Sequence, residues 1–184
     1  MTRKTNWWVI IGVSLAGMCL VACLGISLLI HFAPNIYEYS LNQSSLQVGT
    51  AAPDFELTAL SGESVRLSQY RGQPVLLTFA ATWCPDCRTE TPLLQKLHTS
   101  HPELNMVLVD SNESAPIVQD FVDEFGITQT VLLDRYGTIS KKYQIVAIPT
   151  QLFIDADGII QAKLIEGITP QVLAEKLPLI GIEP

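Results

Sequence analysis

The stretch Val75-Leu76-Leu77-Thr78-Phe79-Ala80 constrains this chain more than any other. It is almost continuously apolar, follows Pro74 and shows no alternation. A strand of that kind is covered on both faces and belongs at the centre of a sheet with helices on either side. Four residues later the chain reads Cys84-Pro85-Asp86-Cys87, and Leu93, Leu94 and Leu97 then recur with helical spacing over residues 85–100. A central strand that runs straight into a helix predicts a layered α/β fold, with chemistry at the strand-to-helix junction.

The remaining pattern agrees. Asp54–Thr58 and Ser64–Leu67 flank Ser61-Gly62, which predicts a hairpin. Leu104–Val109 reads as a strand ending at Asp110. Ile117, Val118, Phe121, Val122 and Phe125 fall on one helix face within Ala115–Phe125, and Gly126 stops that helix. Val131–Leu133 reads as a short strand and Thr138–Tyr143 as a short helix. Thr150–Ile154 and Ile159–Ile165 form a hairpin through Asp157-Gly158. Thr169 caps a last helix that begins at Pro170. The order β-β-β-α-β-α-β-α-β-β-α makes an α/β sandwich around a mixed sheet.

Composition divides the chain of 184 residues. From Trp7 to Ile30 there are 24 residues without a charge, preceded by Arg3 and Lys4, and no Lys or Arg follows until Arg66. This length spans a bilayer core as one helix, and the charge bias keeps the N-terminus in the cytoplasm. We expect a cytoplasmic tail at 1–6, a transmembrane anchor at 7–30, a polar linker at 31–45 and a globular domain at 46–184 outside the cytoplasm. Trp7 and Trp8 suit the inner interface, and His31 and Tyr37 the outer one. A competing reading takes Leu20-Val21-Ala22-Cys23 as a pattern resembling a bacterial lipobox, with a lipoprotein anchored at Cys23. Against it, Leu24–Ile30 stays apolar. Cys19 and Cys23 otherwise read as small residues of an apolar helix. A cleaved signal peptide fits less well, because the run exceeds an h-region. Beyond Ile30 lie all 18 acidic residues but only nine of the 11 basic ones. Such an acidic domain is unsuited to nucleic acid, whose binding needs phosphate-neutralising cations.

Cys84 and Cys87 are the domain's cysteines. A metal site would need two more ligands. His98 and His101 lie 11 and 14 residues beyond Cys87, about 16 Å or more along a helix, so no metal is expected. A thiol at a helix N-terminus instead meets unpaired N–H groups and the positive end of the dipole, which favour thiolate. Two intervening residues allow a short-span disulfide. Cys84 is expected to be the exposed nucleophile, and Cys87, further into the helix, the more buried resolving thiol.

The stretches Ala52-Pro53-Asp54-Phe55-Glu56-Leu57-Thr58 and Gly72 through Cys84, with Ala147-Ile148-Pro149-Thr150, resemble the TlpA/ResA-like thiol–disulfide oxidoreductases. These are membrane-anchored members of the thioredoxin superfamily, related to the AhpC/TSA redoxins. The resemblance covers roughly residues 46–182. It implies a thioredoxin-like fold with an N-terminal β-hairpin. Pro149 lies 65 residues beyond Cys84. That is longer than plain thioredoxin needs and fits a helix–strand insertion near residues 111–134. The resemblance implies a cis Pro149 opposite the redox pair, with Trp83, Ile148 and Pro149 meeting substrate. It implies no cofactor beyond the redox-active disulfide. The partners it implies are client protein thiols and disulfides, and a membrane thiol transporter of the CcdA or DsbD kind. Reduction of apocytochrome c during haem attachment is one implied task. Glu90 matches a glutamate that the ResA-like subset uses near its thiols, and is a candidate acid or base for Cys87. Its plainer reading is a solvated acid favoured by the helix dipole. Thr78 stands where plain thioredoxin has a buried aspartate. Pro92 matches the proline that kinks this helix in the superfamily.

One residue departs from the family pattern. Asp86 stands where proline usually precedes the second cysteine, and its charge opposes thiolate formation, which predicts a reducing poise. Two other functions remain to be weighed. A peroxiredoxin-type peroxidase would need its cysteine at Ala81, counting from Pro74 and Thr78. A copper chaperone resembling the Sco proteins would need one more residue between the cysteines and a later histidine.

Overall fold

The computed structural model describes Ser27, residues 46–165 and residues 167–183. The expected tail, anchor and linker lie outside the described residues, Ser27 excepted. Among the described residues no helix is long and apolar enough to cross a membrane.

The opening hairpin pairs β1 (Glu56–Ala59) with β2 (Ser64–Arg66). The first strand begins and ends slightly later than expected, and the second begins at Ser64 as expected but stops at Arg66. A 3-10 turn, Leu67–Tyr70, takes over where the second strand was expected to continue, because Asp54 accepts the Ser68 N–H at 2.9 Å and the Ser68 hydroxyl at 3.0 Å. Then come β3 (Val75–Ala80), α1 (Pro85–Ser100), β4 (Asn105–Ser111), α2 (Ala115–Phe125), β5 (Thr130–Asp134), α3 (Thr138–Lys142), β6 (Thr150–Ile154), β7 (Ile160–Leu164) and α4 (Pro170–Lys176). A 3-10 turn follows at Leu177–Ile180. The predicted element order is present.

The seven strands form one mixed sheet, ordered β2-β1-β5-β4-β3-β6-β7. β3 runs parallel to β4 and antiparallel to β6, and all its residues are buried. This explains its unbroken apolar sequence. One face packs Leu77, Phe79, Val107, Val109, Leu132 and Tyr143. On the other face Leu108, Val118, Phe121 and Val131 pack with both cysteines. Ile117, expected on the buried face of α2, is exposed. Gly126 ends α2 in the left-handed region at φ 61°, as expected of a helix-stopping glycine.

The chain enters the domain beside β7. The Gly49 N–H donates to the Ile160 carbonyl at 2.8 Å, and the Ile160 N–H donates to the Thr50 carbonyl at 2.9 Å. Since β7 and β3 are both antiparallel to β6, the start of β7 lies at the end of the sheet opposite Cys84.

Candidate active site

The redox pair sits where β3 gives way to α1. Cys84 is the N-cap of α1 and Pro85 its first residue, where a missing N–H costs nothing. Cys84 and Cys87 are joined by a disulfide, and the Cys87 N–H donates to the Cys84 sulfur at 3.2 Å. The helix therefore offers that sulfur one of its unpaired donors.

The expected contrast in exposure is absent: Cys84 is 3% exposed and Cys87 4%. Cys84 is covered because the loop before β6 closes over it, with the Ile148 carbonyl oxygen 3.7 Å from its sulfur. The Ile148–Pro149 bond is cis, as the resemblance implied. The exposed group is Trp83, at 68%. Val146, near the same loop, is exposed as well.

Glu90 lies one helical turn past Cys87. It is 6% exposed, which overturns the solvated reading. Its carboxylate accepts the Ile168 N–H and the Gln151 side-chain amide, each at 2.8 Å. Burial pushes its carboxyl above the usual range, and the Asp86 charge adds to that, while the two donors oppose it. Gln151 is buried opposite Thr78, and its own Oε1 has no partner.

Sequence reasoning missed the residues that hold the turn before Cys84. Glu113, from the loop after β4, accepts the Thr82 N–H and the Thr82 hydroxyl, each at 2.6 Å. Arg88 donates to the Thr82 carbonyl at 3.3 Å, pairs with Glu124, and lies over the Phe121 and Phe125 rings at 5.5 and 5.0 Å. Every polar group of Thr82 is thus engaged. Asn112 takes a left-handed φ of 68°, open to asparagine, just before Glu113. Its place directly after a strand was the only signal in the sequence. Among the described residues no cluster of His, Cys, Asp and Glu could hold a metal ion.

A disulfide at a helix N-terminus, reached from an α/β sheet and faced by a cis-proline loop, defines a thioredoxin-like redox domain. Comparison with known proteins makes this specific. Residues 48–163 match the AhpC/TSA family. The Thioredoxin-like protein YneN of Bacillus subtilis (strain 168) is 35% identical over 90% of this chain and 96% of its own length. The Thiol-disulfide oxidoreductase ResA of Bacillus thuringiensis subsp. konkukian (strain 97-27) is 30% identical over 76% of this chain and 79% of its own. Among solved structures, a secreted Mycobacterium tuberculosis disulfide oxidoreductase homologous to E. coli DsbE superposes with a TM-score of 0.62. It is 26% identical, over 66% of this chain and 92% of that one. The chain belongs to the AhpC/TSA family, within its thioredoxin-like branch, and is a thiol–disulfide oxidoreductase.

Proposed function

We propose that this protein is a membrane-tethered reductase of protein disulfides, working outside the cytoplasm. The observation that carries the reading is the Cys84–Cys87 disulfide at the N-terminus of α1, with the Cys87 N–H on the Cys84 sulfur. In the reduced protein that donor and the helix dipole stabilise a Cys84 thiolate.

The thiolate attacks one sulfur of a client disulfide and forms a mixed disulfide, and the client's other sulfur leaves as thiolate. Cys87 then loses its proton and attacks the Cys84 sulfur. The client leaves with both sulfurs reduced, and the Cys84–Cys87 bond forms. Glu90 accepts the Cys87 proton: burial raises its carboxyl above the usual range and so makes it a better base than a solvated carboxylate. Trp83, Ile148 and Pro149 line the approach of the client chain. Two electrons from a membrane thiol transporter of the CcdA or DsbD kind reset the pair.

The anchor rests on the uncharged run Trp7–Ile30 and on Arg3 and Lys4 before it. Apocytochrome c is the client we infer, supported by similarity to proteins named ResA. The peroxidase alternative lacks its cysteine, since Ala81 is a buried alanine.

The test is the reduction potential of the pair in a graded thiol buffer, with reduction of an oxidised apocytochrome c peptide as the companion assay. A value near that of thioredoxin, about −270 mV, supports the reductase. A value near that of DsbA, about −120 mV, reverses the assignment to an oxidase that installs disulfides.

A further inference from the structure

Asp110 is the penultimate residue of β4, on the sheet face that carries both cysteines. It is 1% exposed, and its Oδ1 has no hydrogen-bond partner. Its strand neighbours are Ala80 on β3 and Leu133 on β5, both apolar. The side chain and backbone N–H of Glu113 both hydrogen-bond with it. A hydrogen bond between two carboxyl groups requires a proton on one of them. Glu113 uses its oxygens to accept from Thr82 twice, so Asp110 is the member placed to carry that proton.

We propose that Asp110 and Glu113 share one proton and act together as a latch, a pair of positioning residues that fixes the Thr82 turn and thereby the presentation of Cys84.

The charges around the pair make the latch responsive to protons. Besides Glu113, the charge that bears on Asp110 is Asp134 at the end of β5, also an acid. Arg88 of α1 is a cation bonded to the turn through the Thr82 carbonyl, and it also pairs with Glu124. Glu90 of α1 bonds instead to Ile168 and Gln151. The buried α2 residues of this cluster, Val118 and Phe121, are apolar. Burial, then the Glu113 carboxyl, then the Asp134 charge push the Asp110 carboxyl up to about 8. Below that value the proton bridges the pair. Above it two carboxylates, Asp110 fully buried and Glu113 half-buried, face each other without a cation, Glu113 is driven off, and Thr82 loses both its bonds.

The latch is testable apart from the reductase reading. In the oxidised full chain the two cysteines do not titrate. The Thr82 amide resonance, followed by NMR from pH 6 to pH 10, should move with a midpoint near 8. In Asp110→Asn the amide donates to Glu113 without needing a proton, so that transition should vanish. In Glu113→Gln one negative charge is gone, so the transition should move to lower pH. Asp110→Ala should lower the exchange protection of the Thr82 amide by about tenfold, the worth of one hydrogen bond. A Thr82 resonance that is flat in the native chain, or that titrates identically in Asp110→Asn, overturns the latch. Should Asp110→Asn not fold, an unmoved midpoint in Glu113→Gln overturns it equally.

A kinetic arm rests on the reading of Cys84 as the attacking thiol. The ratio of native to Asp110→Asn rates of disulfide reduction cancels the titration of the thiols. It should be constant between pH 6 and 7 and change severalfold above 8. A ratio constant throughout, with the Thr82 transition present, leaves the latch in place and removes Cys84 from its control.

Discussion

Gln151 donates its side-chain amide to Glu90 at 2.8 Å, strand to helix, while its own Oε1 stays without a partner. A buried glutamine that leaves an acceptor unsatisfied gives up part of its worth. What it contributes is the placement and charge of Glu90. Gln151→Leu keeps the volume and removes the donor that favours the carboxylate. The Glu90 pKa should then rise further, and the Glu90-dependent limb in the pH profile of disulfide reduction should move to higher pH. The profile of Glu90→Gln should lack that limb, whichever residue stands at 151.

Asp86 acts on the same carboxylate from the first turn of α1, raising its pKa through charge. Asp86→Asn should move the Glu90 limb to lower pH. It should also relieve the Cys84 thiolate of a nearby negative charge. The reduction potential then rises, becoming less reducing. Asp86 is exposed and screened, so the change should be on the order of 10 mV, a fraction of the 30 mV that corresponds to about 1.4 kcal/mol. Equilibration against a thiol buffer measures it. A fall in potential would contradict the poise assigned to this residue.

Trp83 is exposed although it is large, aromatic and next to the redox pair. Trp83→Ala should change unfolding free energy by no more than about 0.5 kcal/mol, as expected at the surface. It should raise KM for a protein client far more than for a small disulfide. Parallel assays with a cysteine-containing peptide and with oxidised glutathione separate the two.

Asp110 also predicts how stability depends on pH. Its carboxyl is raised in the folded protein from 3.8 to about 8, so between those values the folded state holds a proton that the unfolded chain has released. Its contribution is whole below about pH 4, declines as pH rises, and is lost above about pH 8. Asp110→Asn carries no such proton. Its melting temperature should therefore gain on that of the native protein steadily from pH 4 to pH 8, and the gap should then stay level. Thermal melts of both proteins across that range measure the difference.

The strand–Cys-x-x-Cys–helix unit was legible because each part is local. The unbroken run at Val75–Ala80, the proline at the first helical position and the spacing of Leu94 and Leu97 each carry their own signal. The cis proline loop was legible only through its resemblance to a family. What escaped were polar contacts made across the fold. Glu113 reaches Thr82 over 31 positions, and Gln151 reaches Glu90 over 61. Neither residue has a periodicity or a partner motif to reveal it. The burial of Cys84 was misjudged for the same reason, since the carbonyl that covers it comes from 64 positions away. Periodicity reports which face of an element is covered, but says nothing of a loop that folds over its end.

The anchoring of residues 49–52 to the start of β7 sets the two poles of the domain. The chain arrives at one pole and the disulfide stands at the other, separated by at least the length of β3, about 20 Å at the rise of a strand. For the tethered protein we propose, a client arriving from the aqueous side meets the disulfide first. An electron donor in the bilayer, as proposed, has to reach the pole farther from the point where the chain enters the domain. Under that proposal, discharge and recharge reach the same disulfide from different directions, and residues 31–45 are the sequence between the proposed anchor and the domain. At full extension fifteen residues would measure about 50 Å, longer than β3 itself. Shortening that stretch should slow recharging while sparing the client step, making the tether a timing element of the redox cycle.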